Sequence, residues 1–150
     1  MSASENKKLM EQVFAGLASR DGTLFTERMS DDFRWINIGT TKWSGTFDGK
    51  AAVLRDLLAP LRARLTERSR TSAHRFIAEG DYVVVEARGD NVTRAGKPYN
   101  NEYCFVFRLS GGKIQEVKEY SDTALIEAVL GDPRELPAAA TGTEARRLTR

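Results

Sequence analysis

The stretch Asp81 to Asp122, DYVVVEARGDNVTRAGKPYNNEYCFVFRLSGGKIQEVKEYSD, carries the pattern that decides the fold. Within it, Tyr82 to Thr93, Tyr99 to Leu109 and Lys113 to Tyr120 each read as a strand. The breaks at residues 94–97 and at Ser110-Gly111-Gly112 are short turn signals, so the strands form an antiparallel meander. Thr66 to Ala78, followed by Glu79-Gly80-Asp81, adds a strand upstream. A strand points residues i, i+2 and i+4 to one side, so Glu86, Arg88 and Asp90 share a face, as do Asn101, Tyr103, Phe105 and Phe107. We expect these sets to meet on one mixed, pocket-like face, with Val83, Val85, Cys104 and Val106 on the other.

Working outward, Leu9, Met10, Val13, Phe14 and Leu17 recur at helical spacing and predict an amphipathic helix from Glu5 to Ser19, ended by Asp21-Gly22. A short helix from Thr23 to Met29 and a strand through Phe33, Trp35 and Asn37 follow. Gly39 to Gly49 reads as a long loop holding Trp43 and Phe47, and Asp48 is placed to cap a third helix that ends near Pro60. A last helix, Thr123 to Leu130 with Asp122 as its cap, stops at Gly131-Asp132-Pro133. Helices first and consecutive strands after them predict an α+β fold, with N-terminal helices packed on a strongly curved, mainly antiparallel sheet. We expect one domain over residues 1–131 and a flexible tail over 132–150.

Composition narrows the function classes. Cys104 is the single cysteine, so no internal disulfide forms, and neither paired thiols nor histidine clusters are present to hold a metal. The first residues are polar and no apolar run approaches a membrane span of about 20 residues, which predicts a cytosolic protein without a membrane partner. Net charge is only +2. Arg62, Arg64, Arg68, Arg70 and Arg75 form the one basic concentration, but no aromatic-interleaved motif accompanies it, so it reads as a solvated face and not a nucleic-acid site. No phosphate-loop glycine spacing occurs, and no cofactor is implied.

Asp31-Asp32-Phe33, the run Gly96 to Asn101, Val106-Phe107, Gly112-Lys113-Ile114 and Glu119-Tyr120 together resemble the superfamily of nuclear transport factor 2, ketosteroid isomerase, SnoaL-type polyketide cyclases and limonene epoxide hydrolase. The resemblance covers Glu5 to Leu130 and implies a cone-shaped fold around a small-molecule pocket. It does not fix the reaction, because the superfamily spans isomerases, cyclases, hydrolases and proteins without chemistry. The epoxide-hydrolase pattern would place Arg88 and Asp90 on its Arg and first carboxylate, Glu119 on the second, and Asn37 on its water-holding Asn. Trp35 and Val117 depart from that pattern, standing where it has Tyr and Trp. In the isomerase pattern Asn37 would occupy the base position, and an amide cannot abstract a proton. In the cyclases an acidic acid/base residue matches Glu119.

The candidate catalytic set is therefore Glu119 as acid/base, with Arg88 and Asp90 as its electrostatic partners. The candidate ligand-binding set is Trp35, Asn37, Trp43, Glu86, Asn101, Tyr103 and Phe105. Against these stand plainer readings: an Arg88–Asp90 surface pair, a structural Glu86–Arg88 pair, and Tyr99, Asn101 and Tyr103 as core residues with local hydrogen bonds. His74 reads as an exposed strand residue and Cys104 as a small filler. The whole predicts cofactor-independent acid/base chemistry, of hydrolase, isomerase or cyclase type, on an apolar oxygenated small molecule. The alternative is a ligand-binding or assembly module of the same fold. In either case an apolar outer sheet face predicts a homodimer through the sheet.

Overall fold

The computed structural model describes residues 1–135; residues 136–150, most of the expected tail, lie outside the described residues. Helix α1 (Ala3–Ala18) begins where the Ser2 hydroxyl accepts from the Glu5 amide at 3.1 Å, and it buries Leu9, Met10, Val13 and Phe14 along one side. After α2 (Thr23–Arg28), strand β1 (Met29–Asn37) leads through a turn into β2 (Gly45–Asp48). The expected long loop therefore contains an edge strand, with Trp35 opposite Phe47 and Arg34 opposite Asp48. Asp48 belongs to that strand, and the cap position of the next helix is taken by Gly49.

That helix is one run in three parts: α3 (Lys50–Ala52), a π-wound stretch (Val53–Leu58) and α4 (Ala59–Arg64). It does not stop near Pro60 as expected. The Ala59 amide reaches back five residues to the Leu54 carbonyl, and this wider turn makes room for a proline ring that would clash in a tighter helix. The remaining strands are β3 (Thr71–Glu79), β4 (Tyr82–Gly89), β5 (Glu102–Ser110) and β6 (Lys113–Ser121), followed by α5 (Thr123–Val129). Asp122 caps α5, accepting from the amides of Ala124 and Leu125.

The sheet order is β2-β1-β6-β5-β4-β3. The meander from β3 to β6 is antiparallel, while β1 returns parallel to β6 with Asn37 beside Glu119 and Trp35 beside Val117. The result is the expected α+β cone, with α1 laid across β3 and β4.

Register corrects the expected faces. Val85 lies opposite Phe105 and Ala87 opposite Tyr103, so the inward residues of β4 are Val83, Val85 and Ala87, all fully buried. Glu86 lies opposite Cys104 and Arg88 opposite Glu102, on the outward face. Glu86, Arg88 and Asp90 do share a parity, as the alternation indicated, but theirs is opposite to that of Tyr103 and Phe105. Cys104 and Val106 face outward as expected; Val83 and Val85 do not. His74 sits exposed at a bulge in β3, where pairing steps from Ala73–Ala87 to Arg75–Glu86.

The inner face holds an aromatic cluster. Phe14, Phe25 and Phe105 each meet the Phe107 ring at centroid distances of 5.9, 6.0 and 5.7 Å, and Trp35 stacks on Phe25 at 5.9 Å. Because Phe107 is completely buried at the junction of α1, α2 and the sheet, truncation to alanine leaves a void between three elements. Phe107→Ala is expected to lower stability by about 3–5 kcal/mol, read as a lower urea midpoint with an unchanged slope.

Candidate functional site

Between the inner sheet face and the helices lies a cavity of about 680 Å³. Its walls are mostly apolar, with Phe25, Trp35, Leu57, Leu61, Phe105 and Ile126 among them. Five sequence-derived ligand or catalytic candidates line it: Glu119, Trp35, Asn37, Trp43 and Phe105; Tyr103 makes a sixth. Tyr99 lines it as well.

Glu119 reaches the cavity because β6 sits between β1 and β5, with Asn37 on one side and Phe105 on the other. It is half-buried, and its nearest polar partner is Ser121, whose hydroxyl donates to Oε2 at 3.4 Å. Among the described residues no guanidinium or ammonium group pairs with it. Desolvation by the aromatic surroundings therefore raises its pKa to about 7, opposed only by the Ser121 hydrogen bond. Burial likewise pushes the Tyr99 phenol up to about 12 and holds Tyr103 well above the ordinary phenol value, and the charge of Glu119 adds to both shifts. Both tyrosines thus stay neutral at neutral pH and keep a proton to donate.

Side-chain amides two residues away hold Tyr99 and Trp35. Asn101, with no exposed surface, donates to the Tyr99 hydroxyl at 3.2 Å and exchanges hydrogen bonds with the backbone of Asp122. It does not line the cavity, so its part is to position Tyr99 and to join the start of β5 to α5. Asn37 accepts from the Trp35 indole at 2.9 Å and donates to the Trp43 carbonyl at 2.9 Å. Gly39, at φ +95°, turns the chain where a Cβ would meet Thr123 Cγ2 at 2.9 Å, and the turn carries Trp43 into the cavity wall. Tyr103 stacks on Phe105 at 4.9 Å.

The expected partners of Glu119 are elsewhere. Arg88 pairs with Glu102 at 3.5 Å, Asp90 with Arg70 at 3.6 Å, and Glu86 with Arg75 at 3.0 Å, all in exposed positions outside the cavity. The cause is the strand parity described above, and the Arg-between-carboxylates arrangement of the epoxide-hydrolase pattern does not assemble here.

Arg64, read from sequence as part of a solvated basic run, is buried. Its guanidinium lies 5.1 Å over the Trp43 ring and donates to four backbone carbonyls, those of Pro60, Leu130, Asp132 and Glu135. Trp43 Nε1 donates to the Gly131 carbonyl between them at 2.7 Å. The segment after α5 is thereby strapped across one end of the cavity, so the first residues of the expected tail, 132–135, are held in place. No periodicity could have found Arg64; Ser121, two residues after Glu119 on the same strand face, was visible in principle. Among the described residues no group of three or more histidine, cysteine or acidic side chains is placed to hold a metal ion, and no helix is long and apolar enough to cross a membrane.

A helix-covered, cone-shaped sheet with a carboxylate and two phenols in an apolar hollow defines a class of small pocket proteins. The SnoaL-like domain model matches residues 10–117, and the chain belongs to that family. Solved structures agree on the fold. A candidate SnoaL-like polyketide cyclase from Jannaschia sp. CCS1 superposes with a TM-score of 0.70 at 18% identity, over 85% of this chain and 92% of its own. An NTF2-like protein from Burkholderia xenovorans LB400 gives 0.67 at 23% identity, over 87% and 99%. TerC, co-crystallised with polyporic acid, gives 0.69 at 23% identity, over 83% and 97%. No curated protein matches the sequence.

The Glu119 shift has a sign that can be tested. Its folded pKa of about 7 lies above the ordinary 4.5, so the folded state binds this proton more tightly than the unfolded chain does. The stability it contributes is fully present below pH 4.5 and is lost as pH rises through 7, by on the order of 3 kcal/mol. Glu119→Gln should match wild type in urea denaturation at pH 4.5 and exceed it at pH 8.

Proposed function

We propose that the protein is a cofactor-independent enzyme in which Glu119 moves a proton on an apolar, oxygenated small molecule. The observation that carries this reading is Glu119 itself: a cavity carboxylate in an aromatic setting without a cationic partner, poised near neutrality. A base with this pKa takes a proton from a weakly acidic carbon and can return it. The Tyr99 hydroxyl, whose oxygen already accepts from Asn101, has its proton left to donate to a substrate carbonyl. In such a course Glu119 removes the proton next to the carbonyl and the electron pair moves onto the oxygen, which Tyr99 holds. The enolate then collapses by taking the proton back at another carbon or by attacking an internal carbonyl carbon.

Isomerase and cyclase types both follow from that step. The hydrolase type is less supported, because Arg88 and Asp90, the Arg and first carboxylate of the epoxide-hydrolase pattern, lie on the opposite sheet face. A ligand-binding module without turnover is the alternative the experiment decides.

A panel of cyclic ketones, polyketide-like aromatics and epoxides, incubated in deuterated buffer and followed by NMR and mass spectrometry, tests the reading. Wild type should give product or deuterium exchange, with kcat/KM rising through about pH 7 as Glu119 ionises. Glu119→Gln should lower turnover by about 10²-fold or more and Tyr99→Phe by at least about tenfold. Equal thermal stabilisation of wild type and Glu119→Gln by a compound that neither protein converts would favour the module.

We also propose that two copies pair through the outer sheet face. Ile77, Tyr82 and Tyr120 are 55%, 48% and 41% exposed there, with half-buried Val84, Cys104 and Val106 between them. Sedimentation equilibrium at micromolar concentration should give twice the chain mass, and Val106→Arg should halve it. A monomeric wild type would end this proposal.

A further inference from the structure

The basic run between residues 62 and 75 does not behave as one surface. Arg64 is consumed by backbone carbonyls, Arg70 pairs with Asp90 and Arg75 with Glu86. Arg20, on the facing loop, pairs with Glu67 at 3.3 Å and donates to the Arg68 carbonyl at 2.7 Å, which fixes the backbone that carries Arg68. Arg62 and Arg68 are left without a carboxylate within 4.0 Å among the described residues. Those two uncompensated guanidiniums are also two of the residues that line the cavity.

Most lining residues are buried or half-buried, while Thr23, Glu27, Arg62 and Arg68 are exposed, so these four mark where the cavity opens to solvent. Arg62 has one hydrogen bond, from Nη1 to the Leu65 carbonyl at 3.3 Å, which leaves most of its donors unused. Arg68 acts at a distance on Asp21, whose carboxylate is already engaged by the Thr23 amide at 3.0 Å. Glu27 is the one carboxylate among the exposed lining residues, and with Asp21 near Arg68 it stands against two arginines without a carboxylate within 4.0 Å and the paired Arg20. Within the cavity, Glu119 in an apolar wall would repel a second anion. An oxyanion is therefore favoured at the mouth and disfavoured within.

From this we infer that the ligand is amphipathic: an apolar, oxygenated body inside the cone and one oxyanionic substituent, of carboxylate or sulfonate type, held at the mouth by Arg62 and Arg68. The inference rests on the cavity being the ligand site, and it adds a specificity-determining pair that also sets which end of the molecule meets Glu119. Arg62 and Arg68 are positioning groups in this scheme, remote from the reacting atoms.

Two fluorescent probes with the same N-phenylnaphthylamine body test it, anilinonaphthalene sulfonate carrying the anion and N-phenylnaphthylamine lacking it. Both tryptophans line the cavity, so energy transfer from Trp35 and Trp43 reports a probe bound there. At low salt the sulfonate should bind about tenfold more tightly than the neutral probe, and the advantage should shrink as salt is added. The double variant Arg62→Ala, Arg68→Ala should lose that tenfold for the sulfonate and bind the neutral probe as wild type does. Both side chains are exposed, so the variant is expected to fold, and an unchanged urea midpoint verifies it. Equal wild-type affinity for the two probes, or a variant that weakens both alike, overturns the inference while leaving the cavity as a ligand site. Failure of both probes to enter overturns both readings.

Discussion

The parallel pairing of β1 with β6 is the constraint on which the rest of the molecule depends. An antiparallel meander alone gives a sheet with one face exposed along its length. A parallel neighbour requires the chain to return across the sheet, and here the return from β1 to β3 passes through β2 and the helical run of residues 50–64. That crossing covers the β1 side of the sheet, α1 covers β3 and β4, and the hollow lies beneath them. The same pairing puts Asn37 beside Glu119, so one register fixes both the shape of the cavity and the place of its carboxylate.

Electrostatics follows from that placement. Glu119 lines the cavity together with Trp35, Phe105 and two phenols, and among the described residues no arginine pairs with it. A carboxylate with an arginine at hydrogen-bond distance would be an ion near neutral pH and a poor proton donor. Without one, desolvation sets its pKa, and the group can hold or release a proton in the range where cells operate. Asn101 and Asn37 contribute indirectly, by fixing Tyr99 and the two indoles.

Much of this was legible in the sequence. The meander, the aromatic side of β5 with Tyr103 and Phe105, and the Asp122 cap follow from period-two alternation and turn chemistry, whereas Asn37 and Glu119 are singled out by the family resemblance and Trp43 by the loop that holds it. Alternation puts Glu86, Arg88 and Asp90 on one side of β4 and Val83, Val85 and Ala87 on the other, and the more apolar stripe is the one that packs inward. Strand alternation fixes which residues share a side, and only pairing register fixes which side is inward. The β2 edge strand and the helix continuing through Pro60 were hidden for a related reason: both are set by what the segment packs against. Arg64 and the split among the arginines lay beyond any sequence pattern, since a buried guanidinium bound to carbonyls looks the same in one dimension as a solvated one.

Arg64 grips the end of the cone through peptide carbonyls, which every residue type possesses. The anchor therefore places no demand on the side chains at positions 130, 132 and 135, and Leu130, which faces the cavity, can be exchanged while the backbone path is kept. A pocket closed in this way separates the element that shapes its floor from the element that secures it. The shape of the hollow can drift by substitution at the floor without the closure being rebuilt.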